Sequence, residues 1–142
     1  MISTLVLDCS ATMPCVFKDE ATKATDRLLD DLIAGAEAWV PALWHLELGN
    51  VLLNAQKRGR IDRVGIESAL NKLRTFRITI DDETMTQAWN KTFDLAFQYQ
   101  LSTYDAAYLE LALRRNLPLA TLDEALVAAA RAAGVSLCLR GK

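Results

Sequence analysis

Four acids stand where a sheet edge could gather them: Asp8, Glu47, Asp105 and Asp123. Asp8 closes the apolar run Thr4-Leu5-Val6-Leu7, which reads as a buried parallel strand. Open α/β sheets bind their ligands at the carboxyl ends of such strands. A carboxylate placed there must find a cation, a donor or water, because burying it alone is too costly. Asp123 repeats the arrangement, since Thr121-Leu122-Asp123 ends a second strand with Thr121 placed to hold a carboxylate. Taken alone, Asp123 is the N-cap of the alanine-rich helix that follows, and the two roles are compatible.

The other two acids fall on helices. Apolar residues fill the segment Thr103 to Arg115, and helical spacing sets Asp105 on the face of Leu101, Tyr108, Leu109 and Ala112. A cap or dipole partner is its alternative role. Glu110 and Arg114 fall on the opposite side, where solvent is expected. Glu47 heads a polar stripe with Asn50, Asn54 and Arg58 on the helix that follows the strand ending at Val40. A solvated helix face is the plain alternative for that stripe.

Four carboxylates converging on one edge repel and raise one another's pKa values unless a cation neutralises them. Oxygen-only ligands select Mg2+ or Mn2+ over zinc. Such a centre suits two-metal phosphodiester hydrolysis, in which the ions lie about 3.5–4 Å apart, one activating water and the other stabilising the leaving oxygen. No His or Ser nucleophile is required.

The elements that would position these acids alternate. Ser10 can cap a helix after the first strand, with Pro14 in its first turn. A helix is expected from Glu20 to Ala34, stopped by Gly35, then a brief strand over Ala38-Trp39-Val40. A third helix runs to about Arg58, closed by Gly59, and Asp62 caps a fourth. Strand Arg77 to Ile80 leads into helical stretches over Glu83 to Tyr99 and Thr103 to Arg115. Strand Leu117 to Thr121, helix Asp123 to Ala133 and a last strand, Val135 to Leu139, complete the chain. Strands alternating with helices argue for βαβ units and a parallel sheet covered on both faces, as one domain over 1–142.

Composition agrees with that class. The 142 residues are 51% hydrophobic and 24% charged, long enough for one domain with a sizeable core. The net charge of -2 offers no overall attraction for nucleic acid. Three cysteines without a CxxC and a single His45 exclude zinc sites of familiar spacing, and suit buried thiols in a reducing cytosol. No stretch approaches a membrane span and the amino terminus has no secretory pattern, so a small cytoplasmic protein is expected.

With these residues in place, the chain resembles the PIN-domain ribonucleases and, within them, the VapC-type toxins of toxin–antitoxin pairs. The resemblance covers essentially the whole length. It rests on Leu7-Asp8-Cys9-Ser10 followed by Asp19-Glu20, on Glu47-Leu48-Gly49-Asn50, on Ser102-Thr103-Tyr104-Asp105-Ala106-Ala107-Tyr108, and on Thr121-Leu122-Asp123. It implies that Asp8, Glu47, Asp105 and Asp123 bind the metal, with Ser10, Asn50, Thr121 and Ser102 as supporting polar residues. It further implies a three-layer α/β/α fold with a five-stranded parallel sheet, Mg2+- or Mn2+-dependent endoribonuclease activity, a homodimer, and a cognate antitoxin blocking the active site.

Other residues allow two readings each. Lys57, Arg58, Arg60 and Arg63 could form an RNA-facing rim or a solvated helix end. Trp39, Trp44 and Trp89 could stack on bases, but core packing or a dimer interface is favoured. Cys9 is expected to be buried rather than reactive, and His45 lies opposite Glu47 on its helix. Three rival classes are a receiver-like Mg2+-binding module, a haloacid-dehalogenase-like phosphatase and a catalytically silent RNA- or protein-binding scaffold. The first wants an acid pair after strand one and a late Lys, where Asp8-Cys9 and Leu139-Arg140 stand. The second wants an Asp where Ser10 stands.

Overall fold

A computed structural model describes residues 1–139, so Arg140 lies outside the described residues. Its centre is β1 (Thr4–Leu7), whose Leu5, Val6 and Leu7 have no exposed surface. Each such side chain contributes roughly 1.5–3 kcal/mol by leaving water. Helix α1 (Cys9–Val16) begins at once, with Asp8 rather than Ser10 at the N-cap position. Pro14 therefore lies inside the helix and not in its first turn. With the helix begun before it, Ser10 has a free hydroxyl, and it spends that hydroxyl on the Asp8 carboxylate.

A 3-10 turn over Lys18–Glu20 precedes α2 (Lys23–Ile33), shorter than the expected Glu20 start because Thr22 and Thr25 form a reciprocal capping box there. β2 (Glu37–Val40) and α3 (Trp44–Lys57) follow. Gly59 takes the left-handed conformation after α3, with φ 77°, as a helix stop of this kind requires. Asp62 caps α4 (Arg63–Leu73) by accepting the Gly65 N–H at 2.8 Å. β3 (Arg77–Ile80) is an edge strand.

The expected helix from Glu83 to Tyr99 is two helices, α5 (Thr84–Ala88) and α6 (Lys91–Tyr99). Asn90 breaks the run: its backbone leaves the helical region, and its side-chain amide donates to the Thr86 carbonyl at 3.1 Å. α7 (Thr103–Arg115) ends at Asn116 in the left-handed conformation. β4 is only Leu119–Ala120, and α8 (Glu124–Ala133) closes at Gly134.

The described strands form one parallel sheet in the order β3-β2-β1-β4. The expected fifth strand, Val135 to Leu139, is reduced to a single parallel bridge between Leu119 and Leu137. Its partner β4 is too short to extend the ladder. The α/β/α layering holds, with four strands in place of five. The order also departs from the 2-1-3-4-5 order of receiver-like modules.

This topology positions the site. The chain builds outward from β1 through β2 to β3, then returns to add β4 on β1's other side. The reversal lies between β1 and β4, and a crevice opens at the carboxyl ends of strands at such a point. Asp8 follows β1 and Thr121 follows β4, so both lie beside it. α7 packs across the sheet with every residue from Ala106 to Ala112 buried, and α6 covers its outer side.

Candidate active site

Asp8 is 6% exposed, and its Oδ2 accepts two hydroxyl hydrogen bonds, each 2.7 Å, from Ser10 and Thr121. Those hydroxyls are themselves 3.2 Å apart. Ser10 Oγ accepts the Leu122 N–H at 2.8 Å, and Thr121 Oγ1 accepts the Asp123 N–H at 3.1 Å. The turn after β4 is thus fastened to the turn after β1 through one carboxylate oxygen. Asp123 caps α8, with Oδ2 accepting the Leu126 N–H at 2.9 Å, so the expected dual placement at a strand end and a helix start is what the fold contains.

Glu47 is held from the opposite side. Tyr108, fully buried on α7, donates its hydroxyl to Glu47 Oε1 at 2.5 Å. The Cys9 thiol lies 3.9 Å from the same oxygen and donates to the Trp44 carbonyl at 3.6 Å. Asp105 sits in the first turn of α7, where Ser102 Oγ accepts its backbone N–H at 3.1 Å and leaves its carboxylate free of side-chain hydrogen bonds among the described residues.

Each acid therefore keeps an oxygen unclaimed by other side chains: Oδ1 of Asp8, Oε2 of Glu47, both oxygens of Asp105 and Oδ1 of Asp123. Their charges reach one another. Burial raises the pKa of Asp8, and the charge of Asp123 adds to it against the lowering effect of the two hydroxyls. Burial also raises Glu47, with Asp8 and Asp105 adding and the Tyr108 hydrogen bond opposing. For Asp105 burial leads again, reinforced by Asp123 and Asp8. Among the described residues no Lys or Arg forms an ion pair with any of the four.

A buried carboxylate among like charges without a protein cation suits a hard metal ion. Among the described residues, however, no three Asp, Glu, His or Cys side chains stand close enough to enclose an ion by themselves. The donors that face the crevice are oxygens, the ligand type of hard divalent ions. The donor set fits such an ion.

The model of the PIN domain matches residues 5–132, nearly the whole chain. This chain belongs to the PIN-domain family. PIN domains are generally nucleases that use divalent metal ions. Among solved structures, the crystal structure of PAE2754 from Pyrobaculum aerophilum superposes with a TM-score of 0.66 at 21% identity, covering 90% of this chain and 84% of that one. A toxin–antitoxin complex from Klebsiella pneumoniae gives 0.53 at 18% identity, covering 84% and 86%. At these identities both speak to the fold. No curated protein matches the chain significantly.

The remaining candidates of this PIN domain are placed as follows. Asn50 is exposed on α3 and makes no side-chain hydrogen bond among the described residues. Of the basic cluster, Lys57 and Arg58 are exposed, while Arg60 is bound to Asp19 and Glu20 at 3.0 and 2.8 Å and lies over the Phe17 ring. Arg63 pairs with Glu67 along α4. Trp44 is core and Trp39 carries the Arg115 guanidinium on its face, but Trp89 is 91% exposed. Cys9 is buried, and burial raises its pKa, so it is no reactive thiolate. His45 is exposed and meets Trp44 edge to face.

Two expectations need correcting. Glu110 is 4% exposed rather than in solvent, and Arg114 binds it at 2.8 Å while reaching Asp81 at 2.6 Å and Glu83 at 3.5 Å. The face of α7 opposite the acids is covered by neighbouring elements, because a helix apolar on all sides is a buried helix. Helical spacing makes Tyr108 a face mate of Asp105, and the structure adds its hydrogen bond to Glu47. Its spacing of three from Asp105 was the available signal that its hydroxyl enters the acid cluster.

Proposed function

We propose that this PIN domain is a Mg2+- or Mn2+-dependent endoribonuclease, the toxin of a toxin–antitoxin pair. One observation carries the reading: Asp8 is buried at the crevice between β1 and β4, held by the Ser10 and Thr121 hydroxyls, and its charge couples to the other acids without a protein cation paired to any of the four among the described residues. Asp8, Glu47, Asp105 and Asp123 would hold the metal through their unclaimed oxygens. A bound divalent ion supplies a Lewis acid for the phosphate and a water of lowered pKa. The chain's own part is positioning. Ser10 and Thr121 fix Asp8, Tyr108 turns Glu47 inward, and the N-cap bonds of Ser102 and Asp123 seat two helix starts at the crevice.

The partners follow from surface chemistry. Phe93 and Phe97 share a face of α6 and, with Trp89, are 55%, 79% and 91% exposed. Those three rings alone leave roughly 450 Å² of apolar surface open, about half of one partner's share in a standard interface. Together with exposed Met85 they form the face we assign to a homodimer. A separate antitoxin chain would cover the acid crevice. Among the described residues no helix is long and apolar enough to cross a membrane, and three free cysteines suit the cytoplasm.

The test is cleavage of a total-RNA pool by purified protein with Mg2+, with Mn2+ and with chelator, beside Asp8→Asn and Asp105→Asn variants checked for folding. Cutting that needs the ion and vanishes in both variants is the expected result. Well-folded wild type that binds Mn2+ yet cuts neither RNA nor single-stranded DNA would leave a catalytically silent scaffold.

A further inference from the structure

A cleft of about 620 Å³ opens between the first turns of α2 and the chain edge formed by Leu122 and Leu139. It adjoins the acid centre directly. Leu122, 46% exposed, lines the cleft with its side chain, and its backbone N–H is the one bound to Ser10 Oγ beside Asp8. The next residue is Asp123. Across the cleft, Lys23 and Arg27 stand one turn apart on α2, both exposed, with Thr22 beside them. Neither cation has a carboxylate partner among the described residues, whereas Arg60, Arg63 and Arg114 each have one.

The chemistry of this cleft is mixed in a specific way. Leu122 and Leu139 give an apolar floor, and Lys23 and Arg27 give two cations at the rim. A nucleotide presents the matching pair, a flat weakly polar base and a phosphate anion, and the volume falls within the usual 300–1,000 Å³ for small-ligand sites. Arg27 also borders a separate cleft lined by Asp30 and Asp31, whereas no acid among the described residues lines the cleft that holds Leu122. In the anticipated rim Arg60 is paired with Asp19 and Glu20 and Arg63 with Glu67, which leaves Lys57 and Arg58 exposed there.

We propose that this cleft binds the RNA nucleotide adjoining the scissile phosphate, its phosphate on Lys23 and Arg27 and its base over Leu122. The proposal rests on the nuclease reading and names the path by which the strand leaves the acid centre. It also accounts for a polyanion held by an acidic protein, because two cations lining one cleft set the local field there, where a net charge of -2 spread over the molecule counts for little.

The test is binding of a fluorescent single-stranded RNA by anisotropy across a salt series, in chelator so that the strand stays intact. Wild type is compared with the Lys23→Ala, Arg27→Ala double variant. A second double variant, Arg74→Ala with Arg77→Ala, removes the same charge at the far, amino end of β3. Two lost phosphate contacts flatten the log affinity against log salt slope by about 1.4 for single strands. That flattening is expected in the first double variant and not in the second, with Mn2+ affinity unchanged in both. An unchanged slope in the first, or equal flattening in both, overturns the cleft alone. A wild type that binds no RNA in chelator likewise overturns the cleft, while the nuclease reading stands or falls separately on metal-dependent cleavage.

Discussion

The Tyr108 hydroxyl donates to Glu47 Oε1 across 61 residues of sequence, joining α7 to α3 at the acid cluster. One oxygen of Glu47 is thereby fixed and the other is left toward the crevice. Partners that orient a metal ligand in this way typically govern affinity by 10–100-fold when removed. Tyr108→Phe keeps the ring and its packing, so the fold should persist while Mn2+ affinity, read by titration calorimetry, drops within that range. Wild-type affinity in this variant would mean that Glu47 needs no such holder.

Asp8 trades stability for its position. In metal-free protein it is a buried carboxylate beside other acids, so Asp8→Asn relieves repulsion while leaving an acceptor for Ser10 and Thr121. Its melting temperature in chelator should exceed that of wild type, by about 2–4 °C for each kcal/mol relieved in a chain of this size. Its cleavage should fall by at least ~100-fold, the equivalent of two factors of 1.36 kcal/mol in barrier. A variant that melts lower in chelator would count against the repulsion.

The pH dependence has a defined sign. Asp8, Glu47 and Asp105 all have raised pKa values, with burial the first cause in each. Between the ordinary carboxylate value, near 4, and the raised one, the folded state holds more protons than the unfolded state. The stability they contribute is complete below that ordinary value and is lost as pH rises through the raised values. Wild type minus the Asp8→Asn, Asp105→Asn double variant should therefore show a melting-temperature difference that worsens as pH climbs in chelator. Added Mg2+ or Mn2+ should reverse it, most strongly at the higher pH.

Arg114 stands between Glu110, Asp81 and Glu83, two of them nearly inaccessible. Removing the cation leaves buried carboxylates without compensation, a loss of about 3–5 kcal/mol for such pairs. Arg114→Met should lower the urea midpoint accordingly. Removing one of the stranded charges with Glu110→Gln in the same chain should recover part of that loss.

The exposed rings of α5 and α6 set the oligomeric state in our reading. Trp89→Glu with Phe97→Glu replaces surface that is already in solvent in one chain, so the circular dichroism should not change. Light scattering should then report a monomer where wild type is a dimer. A wild type that is monomeric at tens of micromolar would remove this face from consideration.

Much of this was legible in the amino-acid sequence, for identifiable reasons. Asp8 and Asp123 follow short apolar runs at strand ends, and Gly59, Asp62 and Gly134 punctuate helices by local chemistry. These signals need no knowledge of the fold. What could not be read depends on neighbours distant in the chain. Periodicity describes one helix and sets Glu110 toward solvent, whereas α5 and α6 pack on α7 and Arg114 ties Glu110 to Asp81 after β3. The break at Asn90 is a side chain competing for a backbone carbonyl, which leaves the apolar pattern of Glu83 to Tyr99 intact. The last strand faded because its partner offers two residues.

The double hydroxyl clasp on Asp8 spans nearly the whole chain, since Thr121 lies 113 residues beyond it. During synthesis β1 emerges well before β4, so a growing chain exposes Asp8 without its distal donor. Loop closure over that separation is among the slowest contacts a domain of this topology makes. A chain that has not yet made β4 therefore holds Asp8 by the Ser10 hydroxyl alone, and the carboxylate is fully clasped only when the two edges of the crevice have met.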